Sequence, residues 1–277
     1  MANFTKTFLF TASALGFASL FAGSAQAASI TGATLTGDAI LYDYSASSTD
    51  GTPTTSGFTE QDLIDSLSNT NNIELDGQLG DSGAGNYAGG PATTLEVDFD
   101  DGTSIIFSSL TSGDWDAIYQ DWFIGAWSDA SSGFAAAIQS EIPMATNPFA
   151  AMLFASFSGY DEQLKARFSD PNLFSVSKDG DDVTFSLAGH LEGVGGIKMS
   201  EVIKYSINGG ETWNYEYAFG DADSASGVVD DDEVGSHDGL YTFNVSLPGG
   251  ETESVPEPAT VLGLLAVGSV VATRKRK

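Results

Sequence analysis

The spacing of apolar residues along the chain changes twice, and each change marks a different kind of element. Over residues 95–99, apolar side chains alternate with acidic ones, which is the pattern of a half-buried strand. An Asp-Gly pair at 101–102 and a returning apolar run at 105–107 complete a predicted β-hairpin. A looser alternation over 29–46 predicts one or two earlier strands.

A short helix is predicted between these two strand regions. Thr59 followed by Asp62 is an N-terminal capping pattern, and the apolar residues of 63–67 form one stripe. The Asn-rich stretch 69–72 is expected to end this helix.

In the middle of the chain the apolar period lengthens to that of amphipathic helices. Four helices are expected there: 115–126, 134–142, 148–158 and 162–168. Asn147 and Pro148 mark the start of the third, and Gly159 marks its end. Their aromatic faces are suited to packing against a sheet, which we favour over a ligand groove.

Beyond residue 172 the period returns to two. Strands are expected at 173–177, 183–187, 201–207 and 212–219, with a last one through 241–247. Polar turns at 178–181 and 208–210 join the first four into hairpins. The sequence therefore predicts an α+β fold: an antiparallel β-sheet or sandwich with several helices inserted mid-chain.

Both ends of the chain look like targeting segments. A single Lys6 precedes an apolar stretch over 8–21, and Ala25 and Ala27 then form a signal-peptidase site that leaves Ala28 as the first mature residue. The expected organisation is a cleavable signal peptide at 1–27, an exported acidic domain at 28–254 and a sorting signal at 255–277.

The last 23 residues consist of a stiff element, an apolar run and a basic cluster. The stiff element is Val255, Pro256, Glu257 and Pro258, and the basic cluster is Arg274, Lys275, Arg276 and Lys277. The apolar run between them would span only about 22 Å as a helix, against a hydrocarbon thickness of about 30 Å. The basic cluster would stay on the cytoplasmic side, so the domain before it would lie outside. The two prolines hold the backbone extended, as a protease requires.

This tail resembles the PEP-CTERM sorting signal of exported bacterial proteins. The resemblance implies recognition by an exosortase, a membrane transpeptidase, with cleavage near the motif and delivery to the cell exterior after transient membrane anchoring. A plain C-terminal membrane anchor is the alternative.

Charge is distributed unevenly between these parts. The chain has ten basic and 38 acidic residues, but residues 28–254 hold only five of the basic residues and 37 of the acidic ones, for a net charge of −32. Such a field repels nucleic acid and anionic lipid and attracts divalent cations. Adaptation to a salty medium explains the same composition.

Several kinds of chemistry find no support in the sequence. There is no cysteine, and no zinc or nucleotide-binding pattern occurs. The two histidines are His190 and His237, and the Ser-His-Asp run at 236–238 places neighbours side by side, which is not how a catalytic triad is assembled.

An acidic loop is the first candidate site. Its tentative calcium ligands are Asp221, Asp223, Asp230, Asp231, Asp232 and Glu233. Calcium takes six to eight oxygen ligands, although the spacing does not fit an EF-hand. The alternative is a solvated acidic loop.

An aromatic strand is the second candidate site. Trp213, Tyr215, Tyr217 and Phe219 recur at period two and would line one face. Trp213 and Tyr215 would then form a platform for stacking sugars. A buried core face is the alternative, and the one we favour.

The C-terminal half resembles a cyanobacterial family of exported PEP-CTERM proteins with no established activity. Four segments carry the resemblance: RFSDPN at 167, LAGH at 187, SEVIKYSINGG at 200 and SHDGLYTF at 236. The longer acidic loop over 230–233 departs from that family.

Together these patterns favour a non-enzymatic cell-surface or extracellular-matrix protein without a catalytic residue. Its processing partners would be signal peptidase and an exosortase. The main alternative is a calcium-assisted module that binds extracellular polysaccharide, and a secreted hydrolase comes third.

Overall fold

The regular structure is described for residues 27–43, 52–68, 71–76, 91–189, 197–207, 209–226 and 238–247 of a computed structural model. The strands of these residues are β1 (Ala27–Ala28), β2 (Ile30–Thr36), β3 (Ala39–Asp43), β4 (Thr52–Thr54), β5 (Asn72–Leu75), β6 (Thr94–Phe99), β7 (Ser104–Ser108), β8 (Asn172–Asp179), β9 (Asp182–Gly189), β10 (Ile203–Ser206), β11 (Asn214–Glu216), β12 (Ser224–Ala225) and β13 (Gly239–Ser246). The helices are α1 (Glu60–Ser68), α2 (Ser112–Ser128), α3 (Phe134–Glu141), α4 (Pro148–Ser158) and α5 (Tyr160–Arg167), with a 3₁₀ turn at Ala130–Ser132.

The strands form two antiparallel sheets. One has eight strands, in the order β12-β13-β9-β8-β5-β3-β4, with β1 also paired to β8; the other has five, in the order β11-β10-β7-β6-β2. Side chains of both sheets share one apolar core, in which the rings of Phe107 and Phe185 meet edge to face at 5.0 Å. The two sheets therefore pack as a sandwich, and together with the helices they confirm the α+β prediction.

The two clearest predicted hairpins form as expected. In the β6–β7 hairpin the side chains of Leu95, Val97 and Phe99 are buried, and the turn contains Gly102 at φ +83°. The β8–β9 hairpin turns at 180–181, where Gly180 has φ +59°. Left-handed backbone is where glycine is favoured, which is why these turns could be placed from the sequence.

Helix α1 starts with the predicted capping box. The Asp62 carboxylate accepts hydrogen bonds from the Thr59 backbone N–H at 2.6 Å and from the Thr59 hydroxyl at 2.8 Å. In return the Asp62 N–H donates to the Thr59 hydroxyl oxygen at 3.3 Å. These bonds satisfy amide groups that the first turn of a helix otherwise leaves open.

Helices α2 to α5 form a second core, which we call the helical lobe. Trp122 lies at its centre, with ring centroids 5.3 Å from Trp115, 5.7 Å from Phe134 and 5.2 Å from Phe168. The lobe also packs on chain segments just outside the strands, through Met199 and Val202. Its helices follow the predicted boundaries closely; α5 begins at Tyr160, before the expected start at 162, because Gly159 ends α4 and directly precedes α5.

The sequence analysis missed some short strands and predicted one strand to be longer than it is. Strand β4 was not predicted, and the Asn-rich stretch expected to end the first helix contains the start of β5. Asn72 tolerates a buried strand position because its amide donates to the Asn172 side chain at 3.0 Å. The strand expected over 212–219 is regular only at β11, since the residues that follow turn toward the helical lobe.

Candidate functional site

Both described ends of the domain meet at the turn of the β8–β9 hairpin. Ala27 of β1 pairs with Asp179 at the end of β8. The Leu247 N–H, just after β13, donates to the Asp181 carbonyl at 2.7 Å. We call this end the terminal pole; Ala27 and Ala28 of the predicted signal-peptidase site lie there, and that site stays a prediction.

The buried ammonium group of Lys178 connects two turns at the terminal pole. The side chain of Lys178 is only 4% exposed, and its Nζ contacts the Asp101 carboxylate and the Gly180 carbonyl. The Asp101 carboxylate also accepts from the Thr103 N–H at 3.0 Å and from its hydroxyl at 2.7 Å. The hydrogen bond from Lys178, followed by those from Thr103, lowers the pKa of Asp101 to about 2. No pattern in the sequence indicated that this lysine would be buried.

The helical lobe lies at the other end of the strands. Strand β7 leaves the sheet toward α2 at Ser108, and the chain returns from α5 into β8 at Asn172. Since β8 runs from Asn172 to Asp179, the lobe and the terminal pole are separated by roughly 23 Å of strand. The molecule thus has one end that carries both chain exits and an opposite end made of helices.

The four residues of the aromatic strand lie in different surroundings. Tyr217 and Phe219 pack against the helical lobe. The Tyr215 hydroxyl donates to the Asp114 carboxylate at 2.9 Å. Burial, and then this bond, raise the pKa of Tyr215. The remaining member, Trp213, is half-buried and lies with its ring 4.5 Å from the Lys204 ammonium.

Asp114 joins these groups to the start of α2. One carboxylate oxygen accepts from the Thr111 N–H at 2.8 Å and its hydroxyl at 2.7 Å, which completes the capping box of α2. The other oxygen is 2.9 Å from both Lys204 Nζ and the Tyr215 hydroxyl. Burial alone would raise the pKa of Asp114, but the hydrogen bonds from Thr111, Lys204 and Tyr215 outweigh it and lower the pKa.

The described part of the acidic loop already has protein partners. Asp221 pairs with Lys198 at 2.6 Å, and the Asp223 carboxylate accepts from the Thr242 N–H at 2.7 Å. Among the residues that the structure describes, no cluster of three or more acidic or histidine side chains is positioned to hold a metal ion. The other four calcium candidates, 230–233, and the two histidines lie outside those residues.

Two open grooves, of about 330 and 470 Å³, flank the 54–59 segment and α1. The smaller is lined by Tyr42, Asp62 and Asp65, and the larger by Phe58 and Glu60 among others. Asp62 is engaged by Thr59, and Asp65 accepts from Gln61 at 2.8 Å. Sequence reasoning did not find these grooves, because they arise from the packing of α1 beside β2, β3 and β4, which no local pattern encodes.

Comparison with protein families gives one match, to the PEP-CTERM protein-sorting motif, at residues 254–277. The chain carries a PEP-CTERM sorting motif. This confirms the resemblance predicted from Pro256, Glu257, Pro258 and the basic end. No curated protein and no solved structure matches the chain, so the cyanobacterial resemblance has no further support.

The PEP-CTERM motif implies that the chain is a substrate of the exosortase sorting pathway and is exported to the cell surface. The motif itself lies outside the described residues, which stop at 247 before it. None of the helices among the described residues has the length and apolar character needed to span a bilayer. The predicted membrane helix of the PEP-CTERM segment therefore stays a prediction.

Proposed function

We propose that this chain is a non-enzymatic cell-surface or extracellular-matrix protein, which the exosortase pathway exports and processes. The observation that carries the proposal is the PEP-CTERM motif at 254–277, placed seven residues after the last described residue of the terminal pole. Seven extended residues span at most about 25 Å. Before processing, the membrane would hold the domain by that pole, with the helical lobe directed outward.

Two carboxyl groups with a lowered pKa, Asp101 and Asp114, support a structural role for the domain. The pKa values of Asp101 and Asp114 are lowered, and both groups are engaged by lysine and hydroxyl donors that join separate elements. A general acid needs the opposite shift, toward neutral pH. These carboxylates are therefore suited to holding the sandwich, its turns and the lobe together.

Fractionation of cells with and without the exosortase tests the proposal. We expect the protein on the surface or in the medium when the exosortase is present, and in the membrane when it is absent. Replacing Pro256 and Pro258 with alanine should have the same effect as removing the exosortase, whereas Thr252→Ala, outside the motif, should not. Accumulation in the cytosol would contradict the proposal.

A calcium-assisted glycan-binding module is the second candidate. It is supported by the partly exposed Trp213, which directly precedes β11, the edge strand of the five-stranded sheet. Calcium would have to be held by the acidic loop, where Asp230, Asp231, Asp232 and Glu233 supply the remaining oxygens. Calorimetric titration tests this: a heat of calcium binding that disappears when these four residues are neutralised supports the candidate, and the absence of any heat contradicts it.

A further inference from the structure

Helix α4 exposes a stripe of large apolar side chains. Phe149, Leu153 and Phe157 are 61%, 56% and 81% exposed, respectively. They recur every four residues, so they lie one above the next on a single helix face. Met144, in the turn before the helix, is 68% exposed. Exposed apolar patches of a few hundred Å² commonly mark interaction sites. We call the three helix residues the α4 stripe.

The opposite face of α4 fixes the stripe in this orientation. Ala151 and Ala155 are fully buried, and Ala151 belongs to the core of the helical lobe. Asn147 caps the helix, because its side-chain oxygen accepts the Ala150 N–H at 3.0 Å, and Gly159 ends it in left-handed backbone at φ +74°. The stripe is thus part of a helix that is anchored on its small side and apolar on its outer side.

The charge around the stripe differs from the rest of the domain. Residues 130–168 contain three acidic and two basic residues, for a net charge of −1, whereas the exported domain as a whole carries −32. Within that segment Lys165 pairs with Glu162 at 2.8 Å and with Asp161 at 3.9 Å. This segment of the chain therefore contributes less repulsion toward another strongly acidic molecule than the rest of the domain does.

The position of the stripe excludes two other occupants. The helical lobe and the terminal pole are separated by the length of β8, roughly 23 Å. The membrane that holds the sorting tail would therefore face the terminal pole and not the lobe. Residues 248–253, between the last described residue and the motif, include two glutamates and no large apolar residue. They therefore lack the apolar side chains that would cover the α4 stripe.

We propose that the α4 stripe is the contact between two copies of this chain, which pair through their helical lobes. A second copy presents what the stripe requires, an uncharged apolar helix face within a nearly neutral surround. Two-fold pairing of the same patch closes the contact at two subunits. The argument that the membrane does not cover the α4 stripe rests on the proposed export. The contact between two copies does not depend on export.

Ionic strength gives the pairing a distinctive signature. Each copy carries a large negative charge, so long-range repulsion opposes association at low salt and is screened as salt is added. Between about 0.1 M and about 1 M salt the Debye length falls from roughly 10 Å to roughly 3 Å. Pairing with a basic partner would weaken over the same range, and pairing of two copies should strengthen.

Sedimentation velocity tests this proposal, using the protein from whichever cell fraction holds it. We expect a dimer whose fraction increases with salt, and a monomer for the double variant Leu153→Glu with Phe157→Glu. Both positions are exposed, so the variant should fold, which its melting curve checks. The matched control, Asn214→Glu with Asn244→Glu, adds the same two charges at exposed positions of the sheets and should still dimerise.

Three results would overturn the proposal. They are a wild-type monomer at both salt concentrations, a dimer that the α4 variant leaves intact, and a monomer that binds uncharged phosphatidylcholine vesicles through the stripe. Because sedimentation measures contact and fractionation measures export, failure of one does not imply failure of the other.

Discussion

Lys204 of β10 places its ammonium nitrogen 2.9 Å from the carboxylate of Asp114, in the first turn of α2. The pair joins the five-stranded sheet to the helical lobe, and both side chains are mostly buried, at 14% and 9% exposure. Tyr215 and Thr111 donate the remaining hydrogen bonds to the carboxylate. Because four donors converge on one buried carboxylate, we expect loss of this contact to lower the free energy of unfolding substantially.

Replacing Asp114 with asparagine is expected to lower the free energy of unfolding by about 2–3 kcal/mol, because Lys204 is left mostly buried without its counter-charge. Urea unfolding measures the change. Asp116→Asn is the matched control, since Asp116 is an exposed carboxyl of the same helix; it should change stability by less than about 0.5 kcal/mol. Equal effects of the two substitutions would show that the Asp114 contacts contribute nothing.

The contact between Lys178 and Asp101 should give stability a dependence on acid. The pKa of Asp101 falls from 3.8 in a free carboxyl group to about 2 in the fold, so its contribution is fully present above about pH 4 and is lost as the pH falls through about 2. The melting-temperature difference between wild type and Asp101→Asn should be constant near neutral pH and should shrink below about pH 4. Asp101 is 40% exposed, so the difference should correspond to no more than about 1 kcal/mol.

Asp100→Asn is the control for that measurement, because Asp100 is an exposed carboxyl in the same turn. A difference for Asp101→Asn that persists unchanged into acid would contradict the role assigned to its charge.

Trp213 distinguishes the structural account from the glycan-binding alternative. Its ring packs on the Lys204 ammonium, and cation–π contacts at partly exposed sites contribute about 0.5–1 kcal/mol. The structural account predicts that Trp213→Ala lowers the melting temperature slightly and leaves capture on extracellular polysaccharide unchanged. Asn214→Ala, at the next and exposed position, is the control. Capture that is lost only in Trp213→Ala would favour glycan binding.

Monovalent salt should stabilise the domain. A net charge of −32 is held within one folded unit, and unfolding relieves the repulsion among the acidic side chains. Raising sodium chloride from about 0.1 M to about 1 M screens that repulsion. We expect the melting temperature to rise, and a fall over this range would contradict the interpretation of the composition.

Local rules predicted the elements whose signals are local. The Thr59–Asp62 box, the Asn147–Pro148 start of α4 and the glycine turn of the β6–β7 hairpin each depend on residues within a few positions of one another. The contact of Lys178 with Asp101 joins residues 77 positions apart that belong to hairpins of different sheets, so it depends on how the two sheets pack. The Asp114 contacts depend on the packing of a helix against a sheet. No local pattern encodes those relationships.

The same limit applies to the candidate sites. The uncharged sequence of α4 predicted a helix, but which of its faces would stay uncovered depends on how α2, α3 and α5 pack around it. The aromatic strand was predicted to continue to residue 219 with its four aromatic residues on one face. These residues instead divide between the Asp114 contact, the lobe and a partly exposed Trp213, because regular pairing ends at Glu216. The PEP-CTERM motif could be predicted because its three parts are contiguous in sequence.

The intact mass of the mature protein, isolated from the cell exterior, shows whether an exosortase has removed the C-terminal segment. We expect a chain that begins at Ala28 and ends near the Pro-Glu-Pro element, without the basic cluster. A mature surface protein that still includes Arg274 to Lys277 would contradict exosortase sorting.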